Sequence, residues 1–123
     1  SALIGGVVTY TKETKIEQLG ISADLLEEYG IVSSECAAAM ATKVREKFHT
    51  DIGIGLTGAA GPGSHDGLPA GAIWVGISIC DLEPFTYRLQ LTGSRNTNRI
   101  RAVKFTFSYL MRELAKQGYK KLI

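Results

Sequence analysis

The fold turns on the stretch Asp51-Ile52-Gly53-Ile54-Gly55-Leu56-Thr57-Gly58-Ala59-Ala60-Gly61-Pro62-Gly63. Ile52, Ile54 and Leu56 alternate with glycines, which predicts a strand over 51–56 whose other face lies against something close. The strand runs into a loop of small residues, Gly58 to Pro69, and no helix-like sequence follows. Dinucleotide-binding and P-loop fingerprints need a strand, a glycine pattern and a helix in that order, so neither fits. Two uses of the loop stay open. Its glycines can supply positive φ in a tight turn, or its lack of side-chain bulk can let the backbone touch a ligand.

Downstream, the pattern predicts a hairpin with strands Gly71 to Cys80 and Phe85 to Thr92 around a turn at Asp81 to Pro84. A final helix is expected from about Arg95 to Gln117, with Ile100, Val103, Phe107, Leu110, Met111 and Leu114 on its core face. Upstream, Leu3 to Tyr10 reads as a strand, with Gly5-Gly6 marking close backbone approach. Glu13 to Leu19 reads as a short helix stopped by Gly20, and Ala23 to Tyr29 as a second, capped by Ser22 and stopped by Gly30. Ser33 caps a longer helix whose positions Ala37, Met40, Ala41, Val44 and Phe48 form one buried stripe.

At 123 residues the chain is one domain, residues 1–123, able to bury about two-thirds of its unfolded surface. Its longest apolar run, Ala70 to Cys80, is about half the ~20 residues that cross a bilayer, so no membrane role is expected. Ser1 to Tyr10 lacks the basic start of a signal peptide. Cys36 and Cys80 form no metal or redox motif and read as small core residues of a reducing, cytoplasmic compartment. Residues 1–83 carry a charge balance of −6 and residues 84–123 one of +8. Either a basic helix neutralises an acidic half of the same domain, or Arg95 and Arg99 mark an anion site. Nucleic acid is poorly supported, because the basic residues are not interleaved with aromatics.

Helices interspersed with strands and one hairpin predict a three-layer α/β/α domain with a mixed β-sheet. Leu3 to Tyr10 is apolar enough to be central, yet nothing precedes it. The expectation is a domain that lacks its first strand and helix, whose apolar edge a homo-oligomer or another partner covers.

Gly5-Gly6-Val7-Val8-Thr9-Tyr10-Thr11-Lys12-Glu13-Thr14-Lys15 resembles the G-G-x-x-x-Y-x-x-x-x-K segment of the CinA C-terminal domain family, whose stand-alone members are nicotinamide-nucleotide amidohydrolases. The likeness continues through Leu19-Gly20, Gly30 to Ser33, the T-G-x-A-G-P-G loop at Thr57 to Gly63, Pro69-Ala70-Gly71, and Gly93-x-Arg95-x-x-x-Arg99. The resemblance implies a bacterial enzyme of NAD salvage. It would hydrolyse the carboxamide of nicotinamide mononucleotide to nicotinate mononucleotide and ammonia by a Ser–Lys mechanism, with no metal and no cofactor. The family's nucleophilic serine lies in an E-S-x-T-G-G motif that is absent from these residues, so this chain alone is expected to be inactive. The alternative is a non-catalytic nucleotide-binding module, or an interaction module linked to competence or DNA damage.

The resemblance also implies roles for single residues. Lys15 matches the family's lysine and would take the proton of the attacking serine, which requires a neutral amine. Tyr10, five residues earlier across a strand-to-helix bend, would relay or orient that proton. Thr57, Gly58, Ala60 and Gly61 would hold the ligand or stabilise the oxyanion, and Arg95 and Arg99, one turn apart at a helix start, would take the phosphate. Read without the resemblance, Lys15 is a solvated helix lysine, and for the two arginines surface charge and an anion site both stay open. His49, His65 and Asp66 are given no catalytic role.

Overall fold

The computed structural model describes residues 6, 7, 9, 11–59, 72–80, 82–90, 101, 104–106, 108–112 and 116. Three helices precede three strands: α1 (Lys12–Leu19), α2 (Ala23–Tyr29), α3 (Ser34–Phe48), β1 (Ile52–Ala59), β2 (Ala72–Ile79) and β3 (Phe85–Gln90). Residues 101, 104–106, 108–112 and 116 are helical and lie within the helix expected at the C-terminus.

Local side-chain chemistry sets the helix ends. Thr11 and Thr14 form a reciprocal capping box at the start of α1, and Gly20 closes it with φ 72°. Ser22 accepts from the Leu25 amide to open α2, which Gly30 ends. Ser33 opens α3 by accepting from the Cys36 amide at 3.0 Å. His49, in the left-handed region at φ 53°, ends α3 by donating its own amide to the last-turn carbonyls of Arg45 and Glu46. The three helices predicted before the sheet therefore stand, with α1 starting one residue earlier than expected.

Among the described residues the strands form one antiparallel sheet in the order β1-β2-β3. Ile52 pairs with Ile79 and Ala59 with Ala72, while Ala72 pairs with Gln90 and Ile77 with Phe85. Because side chains alternate across a strand, this register makes two unlike faces. One carries Ile73, Val75, Ile77 and Ile79 of β2, flanked by Ile52 and Ile54 of β1 and by Phe85, Tyr87 and Leu89 of β3. Leu110 and Tyr109 pack on this face, with the Tyr109 ring stacked 4.0 Å from that of Tyr87. Val75 and Ile77 are fully buried, and each such side chain contributes roughly 1.5–3 kcal/mol. Burial pushes the Tyr87 phenol pKa up.

The other face carries Gly53, Gly55 and Gly76, with α3 lying directly on them. A Cβ on Gly53 would come 2.1 Å from the Ala41 carbonyl oxygen, and one on Gly76 would come 2.2 Å from that of Ala37. The Ile-Gly alternation is thus explained by a helix backbone seated on the sheet. Ala37 and Ala41, with no measurable exposure, are the small residues that permit this approach. Helix, sheet and helical C-terminal residues make the three layers of an α/β domain.

Four expectations differ from the structure. The strand expected to end at Leu56 continues through Thr57 and Gly58 to Ala59, because β2 offers Trp74, Ile73 and Ala72 as partners. Met111, assigned to the core, is 43% exposed, whereas Thr106 is buried, so the packed stripe runs through Thr106 and Leu110. Of the strand expected over Leu3 to Tyr10, Gly6, Val7 and Thr9 are described, and none of the three is in a strand. A Cβ on Gly6 would meet no described residue within 4 Å, so among the described residues no close backbone approach requires that glycine. Val7 packs instead on a second cluster formed by Leu19, Ile21, Leu26, Cys36 and Met40.

Candidate active site around Lys15

Helix α1 carries Lys15 inward. Leu19, one turn on, is buried, and so is Lys15 itself, with only 3% of its surface exposed. Its Nζ donates to the Thr9 carbonyl oxygen at 2.7 Å. Ion pairs join Lys12 to Glu27 and Lys43 to Glu46, and no described carboxylate is paired with Lys15. Burial pushes its amine pKa below the ordinary lysine value, and an electrostatic interaction with Cys36 partly opposes that shift. A lysine in these surroundings is more readily neutral than a solvated one, and a neutral amine can accept a proton.

The first turn of α3 lies beside it. Cys36 is fully buried there, and its backbone N–H donates to Ser33 Oγ, which in turn donates to the Gly30 carbonyl at 3.1 Å. Thr57, near the end of β1, is buried and donates its hydroxyl to the Ile31 carbonyl. That bond ties β1 to the turn between α2 and α3. The α1 lysine, the α3 N-terminus and the end of β1 are thus joined through successive contacts. The Thr57 proton is committed to Ile31, which leaves its oxygen as an acceptor toward anything bound at this end of the sheet.

Gly58 has a steric reason of its own. A Cβ there would lie 2.5 Å from the Ala72 carbonyl oxygen, so the ladder with β2 already demands glycine. Tyr10, Ala60, Gly61, Arg95 and Arg99 lie outside the described residues, as do His65 and Asp66. His49 is exposed and serves as the α3 cap. Sequence reasoning missed Thr9 and Cys36 as neighbours of Lys15. Both are joined to it by tertiary contacts that no spacing rule encodes, although Ser33, three residues before Cys36, was legible as a cap. No group of three or more His, Cys, Asp or Glu side chains suited to a metal forms among the described residues. None of the helices among them is long and apolar enough to cross a membrane.

A competence-damage inducible protein of Lysinibacillus sphaericus is 62% identical over 120 residues, which cover 98% of this chain and 29% of that protein. A protein of the same description in Halothermothrix orenii is 43% identical over 111 residues, 89% of this chain and 27% of its own length. The chain thus spans less than a third of the curated relatives it matches. Among solved structures, a CinA superfamily protein of Klebsiella pneumoniae superposes with a TM-score of 0.86 at 32% identity, over 90% of this chain and 69% of that one. A CinA superfamily protein of Escherichia coli superposes with a TM-score of 0.81 at 34% identity, over 86% and 62% of the two chains. The model of the CinA C-terminal domain matches residues 1–114, and the chain belongs to that family.

Proposed function

We propose that this chain supplies the base-bearing wall of a nicotinamide mononucleotide deamidase working by a Ser–Lys mechanism. The observation that carries the reading is Lys15, a buried amine with a depressed pKa, held by a neutral backbone carbonyl and paired with no described carboxylate. An amide is a weak electrophile, so the attacking serine must give up its proton as the bond forms. The neutral Lys15 amine accepts it, the serine oxygen bonds to the carboxamide carbon, and the proton returns to the departing nitrogen as ammonia leaves. Water then attacks the acyl-serine, with the same amine as base, to release nicotinate mononucleotide. The serine belongs to an E-S-x-T-G-G segment that these 123 residues do not contain. Thr57 supports the ligand, Tyr10 orients the proton path, and Arg95 and Arg99 hold the phosphate.

Ammonia release from nicotinamide mononucleotide tests the reading. This chain alone should release none, and the chain extended upstream through an E-S-x-T-G-G segment should be active. In the extended protein, Lys15→Ala should remove most turnover while leaving ligand binding largely intact, since the base acts mainly in the transition state. Tyr10→Phe should cost less. Near-full turnover in Lys15→Ala would defeat the assignment. Tight binding of the mononucleotide without turnover in the extended protein would favour a non-catalytic nucleotide-binding module instead.

A further inference from the structure

Thr9 presents two oxygens beside the buried lysine, and only one is used. Its carbonyl accepts from Lys15 Nζ at 2.7 Å. Its Oγ1 is buried and has no hydrogen-bond partner among the described residues. A hydroxyl in that condition costs about 1–3 kcal/mol relative to a paired or hydrated one, and folded proteins seldom leave one so. Within one threonine the two oxygens are at most about 4.5 Å apart, which places Oγ1 within about 7 Å of the Lys15 amine. Two residues before Thr9, Val7 packs on the cluster around Leu19 and Met40.

Resting on the deamidase reading, we propose that Thr9 is a further substrate-contacting residue: its carbonyl orients the Lys15 amine, and its hydroxyl is kept for a hydrogen bond with the carboxamide bound beside that amine. The division of labour is chemically sensible. A neutral amine that donates one N–H to a fixed carbonyl has its lone pair aimed by that bond. A hydroxyl on the same residue can donate to the amide oxygen or accept from the amide nitrogen, so base and substrate share one rigid reference point. The fold alone gains nothing from the hydroxyl, since valine has the same shape without the polar atom.

The test compares Thr9→Val and Thr9→Ser with wild type in the chain extended upstream through the nucleophile segment. The first measurement is thermal melting without ligand, where Thr9→Val should melt at the same temperature or higher. A lower melting temperature would show that the hydroxyl is paired within the fold, for instance through a structural water, and would overturn the inference. The second is affinity for nicotinamide mononucleotide and for nicotinate mononucleotide, with kcat and KM. Thr9→Val should lose roughly tenfold in affinity for the amide, the worth of one hydrogen bond, and Thr9→Ser should recover most of it. Wild-type binding and turnover in Thr9→Val would overturn this inference and leave the deamidase reading standing. A wild-type protein that neither binds nor turns over the mononucleotide would overturn both.

Discussion

Lys15 occupies a helix position whose neighbour one turn on, Leu19, is core, and its amine is held out of water with a backbone carbonyl as its partner. The consequence for stability follows from linkage. The folded pKa lies below the ordinary lysine value of about 10.4. Between those two pKa values the unfolded chain binds more protons than the folded one, so stability rises with pH in that window. Below the folded pKa both states carry the charge, and the cost of burying it is present in full. Lys15→Met, which keeps the stem and removes the charge, should therefore stabilise the protein at neutral pH by something on the order of 1 kcal/mol. Urea unfolding at pH 7 and again near pH 10 checks this, and the advantage should shrink at the higher pH. A Lys15→Met protein less stable than wild type at pH 7 would show that the ammonium is well accommodated. A stabilised variant that, in the extended protein, has also lost ammonia release would mark Lys15 as a group retained for chemistry at the expense of the fold.

Among elements, the contact between α3 and the glycine face of the sheet is the least tolerant. At Gly76 a Cβ would meet the carbonyl oxygen and carbon of Ala37 at 2.2 and 2.4 Å, and both belong to helix backbone with no flexible side chain to yield. Gly76→Ala must lift α3 from β2 and should cost about 3 kcal/mol or more. Gly6→Ala, where a Cβ would meet no described residue within 4 Å, should be close to neutral. Paired denaturant titrations of the two variants would expose an error in the α3 placement if they lost the same amount. The N-terminus of α3 makes a milder test. Ser33 both accepts from the Cys36 amide and donates to the Gly30 carbonyl, so Ser33→Ala should cost about 0.5–2 kcal/mol. Because the same turn receives the Thr57 hydroxyl through Ile31, that loss should be accompanied by faster hydrogen exchange around Ile31.

At the scale of the whole molecule, the sheet separates two kinds of packing, and the chain separates its charge. The helical C-terminal residues cover the apolar face, and their outer side carries exposed Lys104, Phe105, Met111 and Arg112. The last forty residues carry a +8 balance against −6 in the rest, and on the proposed reading the basic part would take the ligand's phosphate. Arg95→Ala should then weaken mononucleotide binding by about 1.5–3 kcal/mol, the scale of a charge-assisted hydrogen bond, and leave the phosphate-free nucleoside almost unaffected. Calorimetry with both ligands decides this, and equal losses would remove the phosphate role.

The sequence alone determined the features that local chemistry controls. Ser22 and Ser33 as caps, Gly20 and Gly30 as stops, and the Ala37–Met40–Ala41 stripe all depend on residues within a few positions of one another. The Ile-Gly alternation of β1 also announced a close neighbour before the neighbour was known. Tertiary structure decided the rest. β1 extends to Ala59 because Ala72 is there to pair with it, and Met111 faces solvent because Thr106 and Leu110 define which side of their helix meets the sheet. From its own surroundings in the sequence Lys15 reads as a solvated helix lysine, and only the family resemblance turned that reading toward a base. Only the core around α1 and α3, which removes water from Lys15 and lowers its pKa, and the Thr9 carbonyl, which holds its amine, give it the surroundings that the proposed base would need. Desolvation depends on residues distant in sequence, and no local pattern can record it.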